Sequence, residues 1–315
     1  MKSLKGNMMN DSRLNVDVTA SLSMFMICFV WGVQQAAIKS IADQISPVLQ
    51  IGLRSFLAAL MVWVIMIVKN NSLKQSKDYL LSGLVVGALF ALEFLFVAEG
   101  LRYTTASHMT VFLYTAPIFA AVGLQVFNKS ETLARMQWLG IGIAFCGIGI
   151  AFFSRDETSN NLQNILIGDI MALVAGFLWG ATTVVVRCTR LGLASAEHTL
   201  FFQLGGAGVL LLGYASITGQ LHFTLNYNTS INLLFQVLFV SFASYLAWFS
   251  LIRKYKASQL GVLSFMTPII GVLASILLLD EHAHSRFIWG AVLILVGVLL
   301  VSIWPWFHQK IRNRY

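Results

Sequence analysis

The chain has 315 residues, of which 57% are hydrophobic and only 11% are charged, and its formal net charge at pH 7 is +8. Soluble domains carry about 25% charged residues, so this composition excludes an ordinary water-soluble fold. The apolar residues occur in runs of roughly 20, the length that an α-helix needs to cross a bilayer. We therefore expect an integral membrane protein whose basic loops, rather than nucleic-acid binding, explain the positive charge.

Ten apolar runs follow one another, and each is predicted to form a transmembrane α-helix. Residues 1–17 are polar, and the run after them, 18–42, exceeds the roughly 7–15 residues of a signal-peptide core. We therefore expect the first helix to be retained as an anchor. The loops are short, so no soluble catalytic domain is expected. The predicted spans, numbered one to ten, are 18–41, 47–68, 80–99, 105–127, 135–153, 165–187, 196–218, 231–253, 257–279 and 284–305.

Basic residues are distributed unevenly between the two sides of this predicted bundle. Sixteen of the 21 Lys and Arg residues fall on the side of the N-terminus, four fall on the other side, and Arg54 lies within a span. Lys and Arg are enriched in cytoplasmic loops. We therefore expect a multi-pass protein of the plasma membrane, the inner membrane in a bacterium, with both termini in the cytoplasm.

The second half of the sequence repeats features of the first half at a nearly constant offset, which indicates duplication. Phe29-Val30-Trp31-Gly32 in the first span recurs 148 residues later as Phe177-Leu178-Trp179-Gly180 in the sixth. Further matches in the same order are Ala106-Ser107 and Ala257-Ser258, Pro117 and Pro268, Glu131 and Glu281, Gly140 and Gly290, and Gly147 and Gly297.

Each repeat contains five spans, an odd number, so the second repeat enters the membrane from the side opposite to the first. We predict an all-α integral membrane fold of ten transmembrane helices, arranged as two inverted five-helix repeats. The first repeat is predicted at 18–153 and the second at 165–305, with cytoplasmic tails at 1–17 and 306–315. Inverted repeats are common in secondary transporters, which bind their substrate near the bilayer midplane between the repeats. Duplication for fold stability alone is the alternative.

These residues resemble the EamA-type branch of the drug/metabolite transporter superfamily over nearly the whole chain. The resemblance is carried by the two Trp-Gly pairs, the segment 101–107 (LRYTTAS), Thr115-Ala116-Pro117, and Glu131 before a glycine-rich fifth span. It implies a ten-helix transporter whose central cavity is lined by spans 1, 3, 4, 6, 8 and 9. Members largely export amino acids, related metabolites or drugs, often with presumed proton coupling. Glu93 and His108 depart from the family's mostly apolar cavity pattern.

Arg54 and Glu93 are the charged residues that lie deepest in the predicted spans. Counted at 1.5 Å per residue, both lie about 10 Å from the same membrane face. Charges inside a membrane are costly, so they usually pair or face a wet cavity. Two interpretations stay open: a permanent pair that fixes helix packing, or a functional pair that meets a substrate's carboxylate or amine, with Glu93 also a candidate proton carrier.

His108 lies one turn inside the fourth span. An unperturbed imidazole titrates near pH 6.5, so His108 is the second candidate for proton coupling. The alternative is an interfacial histidine without a role in transport.

A polar stripe runs along the first span, where Trp31, Gln35 and Lys39 recur every four residues with Gln34 beside them. Such a stripe suits a cavity better than lipid. Trp31 and its repeat partner Trp179 either stack on a ligand or pack the helices closely. The remaining predicted cavity residues are Tyr114, Thr183, Tyr245 and Trp248.

Pro117 and Pro268 fall in the middle third of the fourth and ninth spans, where a missing N–H kinks a helix. They are predicted either as hinges or as fixed kinks that shape the cavity.

The leading functional hypothesis is a secondary transporter that exports amino acids or related small metabolites or drugs by alternating access, with proton coupling as the candidate driving force. No enzyme activity, cofactor or metal is expected, and the segment 280–284 (DEHAH) is a weak metal candidate because Glu281 already repeats Glu131. A membrane-embedded enzyme acting on lipid-linked substrates and a passive channel are the alternatives. The expected partners are a small-molecule substrate and the lipid bilayer, with no nucleic acid, for a monomer or alternatively a dimer.

Overall fold

A computed structural model describes residues 14, 16–69, 79–127, 133–152, 162–255, 260 and 263–312, without the side chains of 162, 249, 252, 253 and 305–312. Within these ranges the chain is helical, and its β contacts are two isolated bridges. The α-helices are α1 (Val18–Ser40), α2 (Pro47–Val68), α3 (Leu80–Gly100), α4 (Ala106–Leu113), α5 (Ala116–Phe127), α6 (Arg135–Phe152), α7 (Leu162–Cys188), α8 (Ala196–Ile217), α9 (Tyr227–Phe235), α10 (Ser244–Lys254), α11 (Met266–Leu279) and α12 (Ser285–Arg312).

The predicted transmembrane helices are confirmed in the described ranges. Nine helical stretches there are long and apolar enough to cross a membrane, and α11 is a shorter apolar helix. The fourth span is divided into α4 and α5, and the eighth consists of α9, a π-helix at Gln236–Ala243 and α10. The sixth span begins at Leu162, three residues before its predicted start. We call the face at which α1 ends the Lys39 face and the face at which α2 ends the Lys69 face.

Helix starts are defined by side chains that accept hydrogen bonds from free backbone N–H groups. Asp17, Ser46, Thr105 and Ser195 each occupy the N-cap position and accept from the amide three residues later. These short polar side chains satisfy donors that would otherwise be left unpaired at the first turn of a helix.

A glycine seam between α6 and α12 joins the two halves of the chain. A Cβ atom at Gly140 would lie 2.8 Å from the carbonyl oxygen of Gly297, and one at Gly147 would lie 2.7 Å from that of Gly290. Gly140 and Gly147 are the repeat partners of Gly290 and Gly297, so the contact is made twice with the partners exchanged. Rising residue numbers on α6 meet falling numbers on α12. The two helices are therefore antiparallel and related by a local twofold axis, as inverted repeats require.

The two Trp-Gly motifs make a second pair of equivalent contacts. A Cβ atom at Gly32 of α1 would lie 2.8 Å from Ile270 of α11, and one at Gly180 of α7 would lie 2.7 Å from Phe119 of α5. Ile270 and Phe119 each lie two residues after the repeated proline. Both glycines therefore allow the first helix of one repeat to pack closely on the fourth span of the other repeat.

The helix breaks occur next to the two prolines. Tyr114 and Thr115 separate α4 from α5, and Phe265 interrupts the helix before α11. Pro117 cannot donate to the carbonyl of residue 113, which removes one rung of the helical hydrogen-bond ladder. Breaks at Pro117 and Pro268 are thus observed, and their service as hinges stays a prediction.

Candidate functional site

Arg54 is the centre of a buried polar group in the interior of the bundle. It lies on α2 and is 1% exposed. Its Nη1 donates to the Oε1 atoms of Gln34 on α1, at 3.3 Å, and Gln236 in the π-helix, at 3.5 Å. Its guanidinium carbon lies 5.0 Å from the ring centroid of Phe94 on α3, a cation–π contact. Three elements from both repeats, α1, α3 and the π-helix, therefore contact the cation that α2 carries.

Hydrogen bonds among side-chain carboxamides fix the orientation of Gln236, one of the two acceptors of Arg54. The Nε2 of Gln236 donates to Gln50 and Asn232, both at 2.8 Å. The Nε2 of Gln50 donates in turn to the backbone oxygens of Ile38 and Ile45. Because its N–H groups are engaged, Gln236 presents its oxygen to Arg54. Sequence reasoning missed Gln50 and Gln236, although a glutamine inside an apolar span was a usable signal.

Glu93 lies on α3 and is 4% exposed. Its carboxylate and the Arg54 guanidinium interact electrostatically, but the hydrogen bonds of Arg54 go to Gln34 and Gln236. The Oε2 of Glu93 and the Nε of Arg54 have no hydrogen-bond partner. A permanent, directly hydrogen-bonded pair is therefore not what the geometry shows. Both charges keep unused hydrogen-bonding capacity in a buried site, where each unpaired polar atom is costly.

Aromatic side chains form one wall next to these charges. The Nε1 of Trp31 donates to the hydroxyl of Ser244, the repeat partner of Glu93, at 2.7 Å. The Trp31 ring lies 5.7 Å from Tyr245 and 5.6 Å from Trp248. Trp31 is thus both fixed by a hydrogen bond and packed against two predicted cavity residues.

The second tryptophan of the repeat is placed beside the break in the fourth span. Tyr114 and Trp179 meet edge to face at 5.2 Å. Tyr114 also lies near Tyr245 and Glu93. The hydroxyl of Thr183 donates to the carbonyl of Trp179, one turn earlier in α7. Trp31 and Trp179 thus each pack against a tyrosine, Tyr245 and Tyr114 respectively.

Gln35 is 1% exposed, and neither its side-chain nitrogen nor its oxygen has a hydrogen-bond partner. A buried carboxamide without partners is expected to face a space that a ligand or water fills.

Lys39, which the sequence placed on the same stripe, is not brought to the Arg54 group. Its Nζ donates to the backbone oxygen of Thr104 at 2.6 Å and lies 3.4 Å from the carboxylate of Glu281.

Glu281 connects the two repeats at the Lys39 face. Its carboxylate accepts from the backbone amides of Ala106, at 2.7 Å, and Ser107, at 3.1 Å, and from the Ser107 hydroxyl at 2.8 Å. The carboxylate thereby caps the start of α4, where free N–H groups and the helix dipole favour negative charge. The contact joins the Glu motif of the second repeat to the Ala-Ser motif of the first. Their partners Glu131, Ala257 and Ser258 lie outside the described residues.

His108 is not an isolated interfacial residue. Its Nδ1 lies 3.0 Å from Oδ2 of Asp169 on α7, and its ring stacks on Phe287 of α12 with centroids 4.0 Å apart. Asp169 also accepts a hydrogen bond from the hydroxyl of Thr104. Sequence reasoning missed Asp169, although an acidic residue inside the sixth span was a signal of the same kind as Glu93.

An inverted repeat, a buried charged site between the repeats and, in the described ranges, nine stretches long and apolar enough to cross a membrane are typical of a polytopic transporter. The sequence profile of the EamA-like transporter family matches the chain twice, at residues 18–153 and 166–303. The chain belongs to the EamA-like transporter family.

Curated relatives carry names of the same class. "Uncharacterized transporter YoaV" of Bacillus subtilis is 25% identical over 90% of this chain and 96% of its own length. "Probable amino-acid metabolite efflux pump" of Escherichia coli is 25% identical over 87% of this chain and 92% of its own length. A solved crystal structure matches with a TM-score of 0.65 and 15% identity, over 92% of this chain and 98% of the other. This last likeness concerns the fold alone.

Proposed function

We propose that the chain exports amino acids, or metabolites with the same pair of charges, by alternating access between its two repeats. The observation that carries the proposal is the buried, oppositely charged pair Arg54 and Glu93, each with an unpartnered hydrogen-bonding atom. A zwitterion brings one opposite charge to each of them. It therefore offsets two desolvated charges that the empty protein leaves partly unsatisfied.

The roles of the two residues follow from their chemistry. The planar guanidinium of Arg54 suits a carboxylate, which it binds through two parallel hydrogen bonds. The carboxylate of Glu93 suits an ammonium group, and we assign it to the substrate rather than to the proton. The rings of Trp31, Tyr245 and Tyr114 adjoin this pair and would contact the apolar part of the solute.

Alternating access is supported by the unequal state of the two faces. At the Lys39 face, Glu281 and Asp169 each contact the opposite repeat. At the Lys69 face, a groove of about 430 Å³ opens between α2, α8 and α10. With the basic loops inside the cell, this is the cytoplasmic face of the bacterial inner membrane, and both termini lie there.

Export as the direction is supported by the printed names of two relatives, both probable amino-acid metabolite efflux pumps. The broader statement, transport of a small molecule by a membrane-embedded carrier, rests on the family.

The test is exchange of labelled amino acids across proteoliposomes that contain the purified protein, with two analogues as competitors. One analogue lacks the carboxylate and the other lacks the amine. Wild-type protein is expected to bind the intact amino acid at least about 30-fold more tightly than either analogue, because each leaves one buried charge unpaired.

The variants Arg54→Gln and Glu93→Gln make the test specific. With Arg54→Gln, the analogue without a carboxylate should compete as well as the intact amino acid, while the analogue without an amine should still compete less well. Glu93→Gln should show the reverse. The exposed Arg102→Gln is the matched control. Equal competition by the amino acid and both analogues in wild-type protein contradicts the proposal.

A further inference from the structure

A second buried polar cluster lies outside the candidate site, at the Lys39 face. Asp169 is completely buried, and His108 is 13% exposed in its side chain. Asp169 accepts from the hydroxyl of Thr104 and faces His108 through both carboxylate oxygens, at 3.1 and 3.0 Å from Nδ1. His108 lies on α4 in the first repeat and Asp169 on α7 in the second. The cluster therefore spans the interface between the repeats.

Two oppositely charged side chains lie beside this cluster. Lys39 of α1 binds the backbone oxygen of Thr104 and pairs with Glu281, which precedes α12. From α12 the cluster receives the apolar ring of Phe287, and the neighbouring Arg286 is exposed. A proton on His108 adds a positive charge that faces the Asp169 carboxylate directly.

We propose that His108 and Asp169 form a proton-binding site whose occupancy holds the two repeats together at the Lys39 face. The proposal rests on the transport function above, because it names the ion coupled to the solute. His108 is partly exposed at the face from which a proton antiporter must take its proton.

The sign of the effect follows from burial. With the proton bound, the imidazolium and carboxylate form a charge-assisted pair, and the Thr104 hydroxyl satisfies a further lone pair. When the proton leaves, the contact with His108 weakens from an ion pair to a neutral hydrogen bond at a fully buried carboxylate. Opening of the Lys39 face admits water to that carboxylate and relieves this cost. Acidic pH therefore favours the closed Lys39 face, and alkaline pH favours its opening.

Transport measurements separate coupling from solute binding. In proteoliposomes, exchange of labelled amino acid without a pH gradient is compared with accumulation driven by an imposed pH gradient. Asp169→Asn and His108→Gln are expected to keep exchange within about twofold and to lose gradient-driven accumulation, since the cluster lies apart from Arg54 and Glu93. His198→Gln, a buried histidine bonded to Ser195 at the Lys69 face, should retain both activities.

The outcomes distinguish this inference from the proposed function. Absence of exchange for every amino acid with wild-type protein contradicts the proposed function. Exchange together with undiminished gradient-driven accumulation in Asp169→Asn or His108→Gln contradicts the proton site. Loss of both activities in the two variants, with wild-type folding by size-exclusion chromatography, also contradicts it, because the cluster would then serve the solute.

A conformational measurement does not depend on transport or on one variant. Spin labels at Tyr103 and Thr218, exposed near the Lys39 face, are placed in a background without Cys28, Cys146 and Cys188. Between about pH 8 and pH 5, the wild-type ratio of closed to open distances should rise by up to about tenfold per pH unit, the limit for one proton. The ratio should not respond to pH in His108→Gln. A pH-independent wild-type ratio, or an unchanged response in His108→Gln, overturns the proposal.

Discussion

At each membrane face, one end of α2 and one end of α8 meet a third helix, which is α3 at the Lys39 face and α10 at the Lys69 face. We call these two meeting points corners. The repeat makes the two corners equivalent, but they are packed differently. At the Lys39 face, Glu99 of α3 accepts a hydrogen bond from Gln220 at 2.7 Å, and Ser46 donates to the Gln220 carbonyl at 2.8 Å. At the Lys69 face, the repeat partner of Glu99 is Ser250 of α10. Ser250 is exposed, and its hydroxyl bonds to Leu246 in its own helix.

The Lys69-face corner is open. A groove of about 430 Å³ lies between α10 and the ends of α2 and α8, although Lys69 and Glu197 pair across it at 2.8 Å. Two corners built on one repeated plan, one closed and one open, are what an inverted-repeat carrier shows in one of its two states. We infer that the other state exchanges them. α10 would then close on α2 and α8 while α3 leaves the Lys39-face corner.

The largest effect is expected at the seam that makes the two corners equivalent. Gly147→Leu would force a side chain against the backbone of Gly290 and Ile294, both 2.7 Å from an added Cβ atom. Overpacking against backbone should lower stability by about 3 kcal/mol. Gly142 has nothing within 4 Å of an added Cβ atom, so Gly142→Leu is the control. Thermal unfolding in detergent is the measurement, and equal midpoints for the two variants would refute a close-packed seam.

Loss of the closed corner is expected to have the next largest effect. Glu99→Ala removes the hydrogen bond from Gln220 and the ion pair with Arg102. A hydrogen bond to a charged group contributes about 1.5–3 kcal/mol, so the open population at the Lys39 face should rise about tenfold or more. Arg102→Ala removes only an exposed ion pair and should change little. The spin-label pair at Tyr103 and Thr218 measures both, and a closed fraction in Glu99→Ala equal to the wild type would count against this corner as a gate.

Blocking the open corner tests the same comparison from the other face. Ser250→Trp places an indole in the groove, where the folded protein has space. Closure around the indole should cost about 1–2 kcal/mol and slow export about tenfold without lowering the unfolding temperature. Ser250→Ala should export like the wild type. Unimpaired export by Ser250→Trp would mean that this groove does not close during the cycle.

The smallest effect is expected where the N-terminal segment meets the end of α10. The amide of Ala20 and the hydroxyl of Tyr255 both donate to Asp17, and they lower the pKa of its carboxyl from its ordinary value of 3.8. A lowered folded-state pKa stabilises the protein above that ordinary value, and the benefit is lost as the pH falls through the lowered pKa. Asp17→Asn should therefore weaken the protein slightly at neutral pH and remove this part of its acid sensitivity. Identical acid-unfolding curves for both proteins would contradict this role.

The fold was predictable because its main signals are periodic and repeated. Runs of apolar residues located the spans, and matches such as Gly140 with Gly290 indicated the duplication before any contact was known. The odd number of spans per repeat then required inversion. Boundaries were less predictable, since the break at Tyr114 and the π-helix after Phe235 depend on hydrogen bonds that span lengths do not reveal.

The candidate site was predictable only in part. Buried charge identified Arg54 and Glu93, and equal depth placed them near each other, but depth along a helix does not specify the partner. The partners Gln34 and Gln236 come from other helices. Lys39 shares the stripe of Trp31, yet its long side chain reaches Glu281 at the membrane face. The partners of Arg54 and of Lys39 depend on tertiary contacts, which the sequence pattern does not specify.

The most direct test of the account measures both faces in one preparation. One spin-label pair at Tyr103 and Thr218 reports on the Lys39 face, and a second at Val68 and Ser250 reports on the Lys69 face. When a transported amino acid or a change of pH shifts the protein between states, one distance should lengthen as the other shortens. A Lys69-face distance that stays constant while solute crosses the membrane, or two distances that lengthen together, would contradict exchange of the two corners.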